Sequence, residues 1–166
     1  MTDETTDRTT HEEKPVPSPA LQPLERLIGT WDVELRFAVD PPGTVQAEAR
    51  FEWLEGGAFL LEQFGGSRWV MGADDASQTC GVLYHDDRGV CRVYQMSLVG
   101  DVWLLWRDAP GFSQRFEGRF SADGSSITAY WQRSTDGTTW AHDFDLTYTK
   151  RTGSSPTHGY NEGEMC

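Results

Sequence analysis

The sequence predicts an all-β fold: a closed antiparallel up-and-down β-barrel of about ten strands, preceded by one short helix. Three observations carry this prediction. Apolar and polar residues alternate with a period of two over most of the chain, the alternating runs are short, and turn-forming residues separate them at regular intervals. No gap is long enough for a crossover helix, so neighbouring strands must pair antiparallel, and closing the sheet removes both of its edges.

Composition limits the chain to one globular domain. Its 166 residues are enough to form one hydrophobic core. Hydrophobic residues make up 37% of the sequence, and no apolar run is long enough to span a bilayer. The net charge of −12 disfavours nucleic-acid backbones and anionic membranes as partners. The polar N-terminus lacks an apolar signal segment, and the three cysteines lack metal-type spacing. We therefore expect a cytoplasmic protein with free thiols and without metal or cofactor.

Polar segments at both termini bracket the predicted barrel domain. Residues 1–19 and 152–166 carry almost nothing to bury and are expected to be disordered, which leaves 20–151 for the barrel. Apolar residues at helical spacing predict a short helix over 21–28, which Gly29 ends. Strand-like runs then begin near Thr30, Thr44, Ala58, Arg68, Gln78, Val90, Val102, Phe112, Ser126 and Trp140.

Hairpin loops assign the register of the last five strands. A loop of four residues after Arg107 pairs that residue with Phe112. A loop of six residues after Arg133 pairs Trp131 with His142. The registers, assigned one hairpin at a time, agree on a single inward face, and a slip of one residue would invert it. That face carries Met96, Leu98, Trp103, Leu105, Phe112, Phe116, Phe120, Ile127, Trp131, Trp140, Phe144 and Leu146.

Strands three and four do not reveal their inward face, because both faces are apolar. Either Leu60, Glu62 and Phe64 point inward, or Phe59, Leu61 and Gln63 do. On the predicted outer face, Leu104 and Trp106 lie beside Val93, which indicates a homodimer contact.

Polar residues on the inward face mark the candidate site. They are Tyr94, Gln114, His142, Arg92, Arg107 and Arg133, with His85 beyond them. All are expected toward the end of the barrel remote from Trp31, whereas the Trp31 end is expected to be apolar. This gradient is typical of a binding cavity that is closed at one end and open to solvent at the other. The arginines either reach into water at the rim or grip an anion bidentately. The expected ligand contacts are Arg92, Arg107, Gln114, Arg133, Met96, Trp103, Phe116, Trp131 and Trp140.

His142 has two interpretations. It is either a neutral core histidine hydrogen-bonded to Gln114 or Tyr94, or a general base or ligand contact inside the cup. If the protein is an enzyme, His142 and Tyr94 are the expected catalytic residues.

Residues 27–31, LIGTW, resemble the Gly-x-Trp signature of calycins, which include lipocalins, fatty-acid-binding proteins and nitrobindins. Over 24–151 the chain is similar to an actinobacterial branch of lipocalin-like barrels that has no assigned activity, notably in segments 102–112 and 142–148. The resemblance implies that a short helix leads into the first strand and that Trp31 plugs the closed end. It also implies that interior Arg and Tyr grip a ligand carboxylate, as in fatty-acid-binding barrels.

Two functions from different classes follow. The first is binding of a small apolar or aromatic molecule, with or without a carboxylate, inside the barrel. The second is a cofactor-free cyclase, isomerase or dehydratase in which His142 moves protons with Tyr94 and Gln114. A third function, less favoured, is implied by the nitrobindin resemblance: a haem held by His142, although 29–34 lack the further glycines of the nitrobindin opening. Of the two classes, binding is favoured over catalysis, because the sequence shows only one candidate histidine and no acidic residue to pair with it.

Overall fold

A computed structural model of the chain describes residues 17–38 and 41–153. In this part of the chain ten antiparallel strands close into a barrel, in which each strand pairs with its sequence neighbours and the last pairs with the first. The strands are β1 (Gly29–Phe37), β2 (Gly43–Leu54), β3 (Phe59–Phe64), β4 (Ser67–Ala73), β5 (Cys80–Asp86), β6 (Cys91–Val99), β7 (Val102–Arg107), β8 (Ser113–Phe120), β9 (Ser126–Ser134) and β10 (Ala141–Lys150). The predicted fold class is confirmed, and each strand begins within two residues of its predicted start. The predicted tails fall mainly on residues outside the described part.

A 3₁₀ helix, Pro19–Leu27, covers one end of the barrel, which we call the closed end. Its buried side chains are Leu21, Leu24 and Leu27. Nε1 of the fully buried Trp31 donates a hydrogen bond to the Leu27 carbonyl at 2.7 Å. Arg26 donates a hydrogen bond to the carbonyl of Gly100 in the β6–β7 turn at 2.8 Å. This bond holds the helix against the end of the barrel. The opposite end, where β5 turns into β6 and β7 into β8, is the open end. No helix among residues 17–38 and 41–153 is long and apolar enough to cross a membrane.

The β7–β8 hairpin differs from its predicted register by two residues. Arg107 pairs with Gln114 rather than with Phe112. Phe112 instead belongs to a turn, in which its amide donates to the Ala109 carbonyl at 3.1 Å and the Ser113 hydroxyl donates to the same carbonyl at 3.2 Å. Since side chains alternate between faces at every residue, a shift of two leaves the inward face of β8 unchanged.

A β-bulge in β10 overturns part of the prediction for the last hairpin. Phe144 pairs with Trp131 and His142 with Gln132, so Asp143 is the additional residue on the β10 side. A bulge of one residue inverts the faces on one side of it. His142 therefore lies outside the barrel, where its predicted position was inside.

Trp140, also predicted to face inward, lies outside as well. The guanidinium of the exposed Arg115 stacks 4.1 Å from the centroid of the Trp140 ring. Beyond the bulge the predicted face returns, and Leu146 is buried as expected.

The structure also resolves the face of β3 and β4. Leu60 and Met71 are fully buried and Glu62 is 4% exposed, whereas Phe59 is 42% exposed. Glu62 therefore points into the barrel. On β5 it is Tyr84 that pairs with Arg92 and faces inward, so the inward position predicted for the exposed residue His85 is wrong.

We expect association of two chains through the outer face of β6 and β7. Trp106 is 37% and Val93 67% exposed there, and Trp106→Glu would replace the largest exposed apolar side chain of this face with a charge. Light scattering should then show dimers for the wild type and monomers for the variant. Val45→Glu is the control, since Val45 is 50% exposed on β2, away from β6 and β7, and its replacement should leave the mass unchanged. A wild type that is monomeric at high concentration would contradict this expectation.

Candidate functional site

The barrel encloses a cavity of about 250 Å³. Its apolar wall consists of Phe64, Trp69, Trp103, Leu105, Phe116, Trp131, Phe144 and Leu146. Its polar lining consists of Glu62, Ser67, Tyr84, Arg88, Arg92, Tyr94, Gln114 and Tyr148. An apolar cavity of about 150 Å³ is enough to hold benzene, and pockets for larger ligands begin near about 300 Å³. The volume therefore suits a molecule of one or two rings.

Aromatic rings in mutual contact form one continuous wall of this cavity. The ring centroids of Trp69 and Tyr94 are 5.4 Å apart, and those of Trp69 and Trp131 are 6.0 Å apart. Phe116 continues the wall at 5.2 Å from Trp131 and 4.9 Å from Trp103. The tilted and edge-on geometries are those that aromatic pairs prefer, so the rings hold one another in place. A planar apolar ligand would find ring faces and edges along the cavity.

Four polar side chains meet near the open end, and we call them the mouth cluster: Arg92, Tyr94, Arg107 and Gln114. Oε1 of Gln114 accepts a hydrogen bond from the Tyr94 hydroxyl at 2.6 Å and another from Nη1 of Arg92 at 3.2 Å. The Arg107 guanidinium lies 5.8 Å from the centroid of the Tyr94 ring. Nε of Arg107 is buried and has no hydrogen-bond partner among the described residues. The sequence analysis placed these four residues on the inward face toward the end of the barrel remote from Trp31, but it did not predict their contacts.

The arginines of the open end differ in how their charge is balanced. Arg88 pairs with Asp86 at 2.6 Å, and the hydroxyl of Tyr84 donates to the same carboxylate at 2.6 Å. Burial, together with this hydrogen bond, raises the pKa of Tyr84 to about 12. Arg92 and Arg107, by contrast, form no ion pair with a carboxylate in the described part of the chain. The two arginines of the mouth cluster thus carry positive charge that no direct ion pair within the described chain balances.

A second group of polar side chains lies deeper in the barrel, and we call it the inner cluster: Glu62, Trp103 and Tyr148. Glu62 and Tyr148 are each 4% exposed, and Trp103 is 1% exposed. Burial raises the pKa of the Glu62 carboxyl to about 8. Burial, and secondarily the charge that Glu62 would carry, raises the pKa of Tyr148 well above its ordinary value. At neutral pH both groups are therefore uncharged, and the expectation that this end is purely apolar was wrong.

The inner cluster was missed although the sequence contains a signal for part of it. Tyr148 continues the alternation of Phe144 and Leu146 along β10 and so belongs to the inward face. Glu62 could not be assigned, because Leu60 and its neighbour Leu61 make both faces of β3 apolar.

Five of the nine residues predicted as ligand contacts line the cavity, namely Arg92, Trp103, Gln114, Phe116 and Trp131, and Arg107 is not among the lining residues. Met96 is buried at 4% exposed but is not one of the residues that line the cavity. Arg133 reaches outward at the rim, where its side chain is 58% exposed and Nε lies 3.6 Å from a carboxylate oxygen of Asp143.

His142 does not belong to the site. Its side chain is 40% exposed, and Nε2 lies 3.3 Å from a carboxylate oxygen of Asp145 on the outer face of β10. Its ring centroid lies 6.3 Å from that of Tyr130, which also faces outward. Since the sheet separates it from the cavity, His142 cannot contact a molecule bound inside the barrel.

Solved structures resemble this barrel. The crystal structure of Rv2717c from M. tuberculosis aligns with a TM-score of 0.53 and 17% sequence identity, and the alignment covers 82% of this chain and 100% of that one. At this identity the likeness supports the barrel fold alone and does not extend to the calycin resemblance. No protein-family model matches the sequence, and no curated protein does so either.

The raised pKa of Glu62 predicts how stability depends on pH. Between the ordinary glutamate pKa of about 4.3 and the folded-state value, the folded protein holds a proton that the unfolded chain has released. The free energy of unfolding should therefore fall as pH rises in this window, by up to about 1.4 kcal/mol per pH unit from this group. The Glu62→Gln side chain cannot titrate, so its free energy of unfolding lacks this fall. Measured by urea denaturation, the free energy of unfolding of Glu62→Gln relative to that of the wild type should rise by up to about 2.5 kcal/mol between about pH 5.5 and about pH 7.5.

Glu25→Gln is the matched control for this measurement. Glu25 is exposed on the N-terminal helix, and its replacement should shift the free energy of unfolding equally at both pH values. Parallel pH profiles for the wild type and Glu62→Gln would contradict the prediction and show that Glu62 is ionised in the folded protein.

Proposed function

We propose that the barrel binds one small aromatic molecule that carries an anionic group such as a carboxylate. The ring would lie along the aromatic wall, and the anion would lie at the mouth cluster. One observation carries this proposal: Arg92 lines the open end of a cavity whose wall is aromatic, and neither Arg92 nor Arg107 forms an ion pair with a carboxylate among the described residues.

The surroundings of Arg92 favour an anion over a neutral polar group. Its guanidinium stacks 4.6 Å from the centroid of the Phe112 ring, and its Nη1 donates a hydrogen bond to Gln114. These two contacts fix the orientation of the guanidinium plane. A carboxylate can accept two parallel hydrogen bonds from such a fork, and charge-assisted hydrogen bonds are roughly twice as strong as neutral ones. An anion would also provide the direct ion pair that Arg92 and Arg107 lack within the described chain.

The alternatives that depend on His142 have no support in this geometry. The enzyme predicted from the sequence would use His142 as its acid or base, and His142 lies on the outer face. The same position prevents His142 from acting as the axial ligand of a haem in the cavity. His85 is exposed as well, so neither histidine of the described chain lines the cavity.

Calorimetric titration with 2-naphthoate tests the proposal. Arg92→Gln removes the charge but keeps a hydrogen-bonding group, and the dissociation constant should rise about tenfold or more, since hydrogen bonds to charged groups contribute about 1.5–3 kcal/mol. The neutral analogue 2-naphthylmethanol should bind the wild type and Arg92→Gln with similar affinity.

Arg115→Gln is the matched control, because it removes the same charge from the outer surface, where Arg115 stacks on Trp140. It should leave the affinity for 2-naphthoate unchanged. Equal affinity of the wild type for the anionic and the neutral probe, or equal losses in Arg92→Gln and Arg115→Gln, would overturn the assignment of the anion to the mouth cluster.

A further inference from the structure

We infer that the inner cluster is a second polar anchor, at which Glu62 and Tyr148, beside the indole of Trp103, bind a hydroxyl group on the end of the ligand remote from its carboxylate. The ligand class is then an aromatic hydroxy acid. The inference rests on the proposed function, because it concerns the other end of the same molecule in the same cavity.

The three side chains come from separate strands and converge on the inner part of the cavity. Glu62 in β3 pairs with Phe51 of β2 and Trp69 of β4. Tyr148 in β10 lies near the closed end, where its ring centroid is 6.4 Å from that of Trp31. Trp103 of β7 lies 6.3 Å from the Tyr148 ring by centroids. All three line the cavity, so a bound molecule that fills it must contact them.

None of these polar groups is satisfied within the described chain. Nε1 of Trp103 is buried without a hydrogen-bond partner there. The carboxyl of Glu62 and the hydroxyl of Tyr148 make no hydrogen bond to a described side chain, and both residues line the cavity. Their pairing partners across the sheet include Phe51, Val33 and Ile127, which offer only apolar side chains. Since buried polar groups in folded proteins are normally hydrogen-bonded, three unpaired groups around one cavity indicate a partner supplied from outside the chain.

The chemistry of the cluster selects a hydroxyl group. An uncharged carboxyl both donates and accepts, a phenol does the same, and an indole only donates. A hydroxyl group, which also donates and accepts, matches this mixture. A second carboxylate on the ligand would need a nearby cation, and the arginines that line the cavity, Arg88 and Arg92, belong to the open end. A ligand with one charged end and one hydroxyl end would satisfy both clusters at once.

Calorimetric titrations with 6-hydroxy-2-naphthoate and 2-naphthoate, at a pH near 6.5 where both Glu62 and the naphthol are protonated, test the inner anchor. The hydroxylated probe should bind the wild type about threefold to tenfold more tightly than its parent, as expected for one net hydrogen bond. Tyr148→Phe and Glu62→Leu should each reduce this preference below about twofold. Circular dichroism and urea denaturation should first confirm that both variants fold.

Two further variants separate the anchors. Arg92→Gln should weaken both probes by the same factor and leave their ratio unchanged, because it acts at the opposite end of the ligand. Glu62→Gln keeps a group that donates and accepts, so it should retain the preference for the hydroxylated probe even if the apolar variant Glu62→Leu fails to fold.

The outcomes distinguish the inference from the function on which it rests. If 2-naphthoate binds with the expected dependence on Arg92 but the added hydroxyl gives no preference, the inner anchor is overturned and the proposed function stands. A preference that survives both Tyr148→Phe and Glu62→Leu also overturns the inner anchor. If neither probe binds the wild type, the proposed function fails and the inner anchor fails with it.

Discussion

The pairing of β1 with β10 is the constraint on which the rest of the structure depends. It extends from Trp31 opposite Lys150 to Phe37 opposite Phe144, and it joins the two edges of the sheet into a barrel. Once the sheet is closed, every side chain is either inside or outside, and alternate residues share the same side. Barrel diameter grows with strand number, and about eight strands already leave an interior that side chains can only just fill or that holds one small ligand. A barrel of ten strands with several large aromatic side chains inside is therefore expected to keep some space open.

The space that remains is polar at both of its ends and aromatic between them. The helix and Trp31 block the closed end, so a ligand must enter past Arg92 and Gln114. Both polar clusters contain a buried group that lacks a partner in the described chain, Nε of Arg107 at the mouth and Nε1 of Trp103 inside. Leaving such groups unpaired costs about 1–3 kcal/mol each, a cost that the binding of a complementary ligand would offset.

Much of the fold was predictable from the sequence, because period-two alternation and turn residues determine where strands begin and which face is buried. The same alternation identified Arg92, Tyr94 and Gln114 as polar residues on an inward face. It failed for His142 and Trp140, since the additional residue of a bulge, Asp143, inverts the faces without a local sequence signal. A face assigned from alternation is therefore lost at a bulge, as for His142, and where a hairpin loop is assigned one residue out of register, as for His85.

Glu62 illustrates a different limit. A strand with apolar residues on both faces does not reveal which face is inside, and only the register against β2 and β4 places this carboxyl in the cavity.

A crystal structure of the protein in complex with 6-hydroxy-2-naphthoate tests the central claim most directly. The account predicts one molecule inside the barrel, with its carboxylate on the Arg92 guanidinium and its hydroxyl oxygen within hydrogen-bond distance of Glu62 or Tyr148. A probe bound on the outer surface, or bound inside with its carboxylate toward Glu62, would contradict the account.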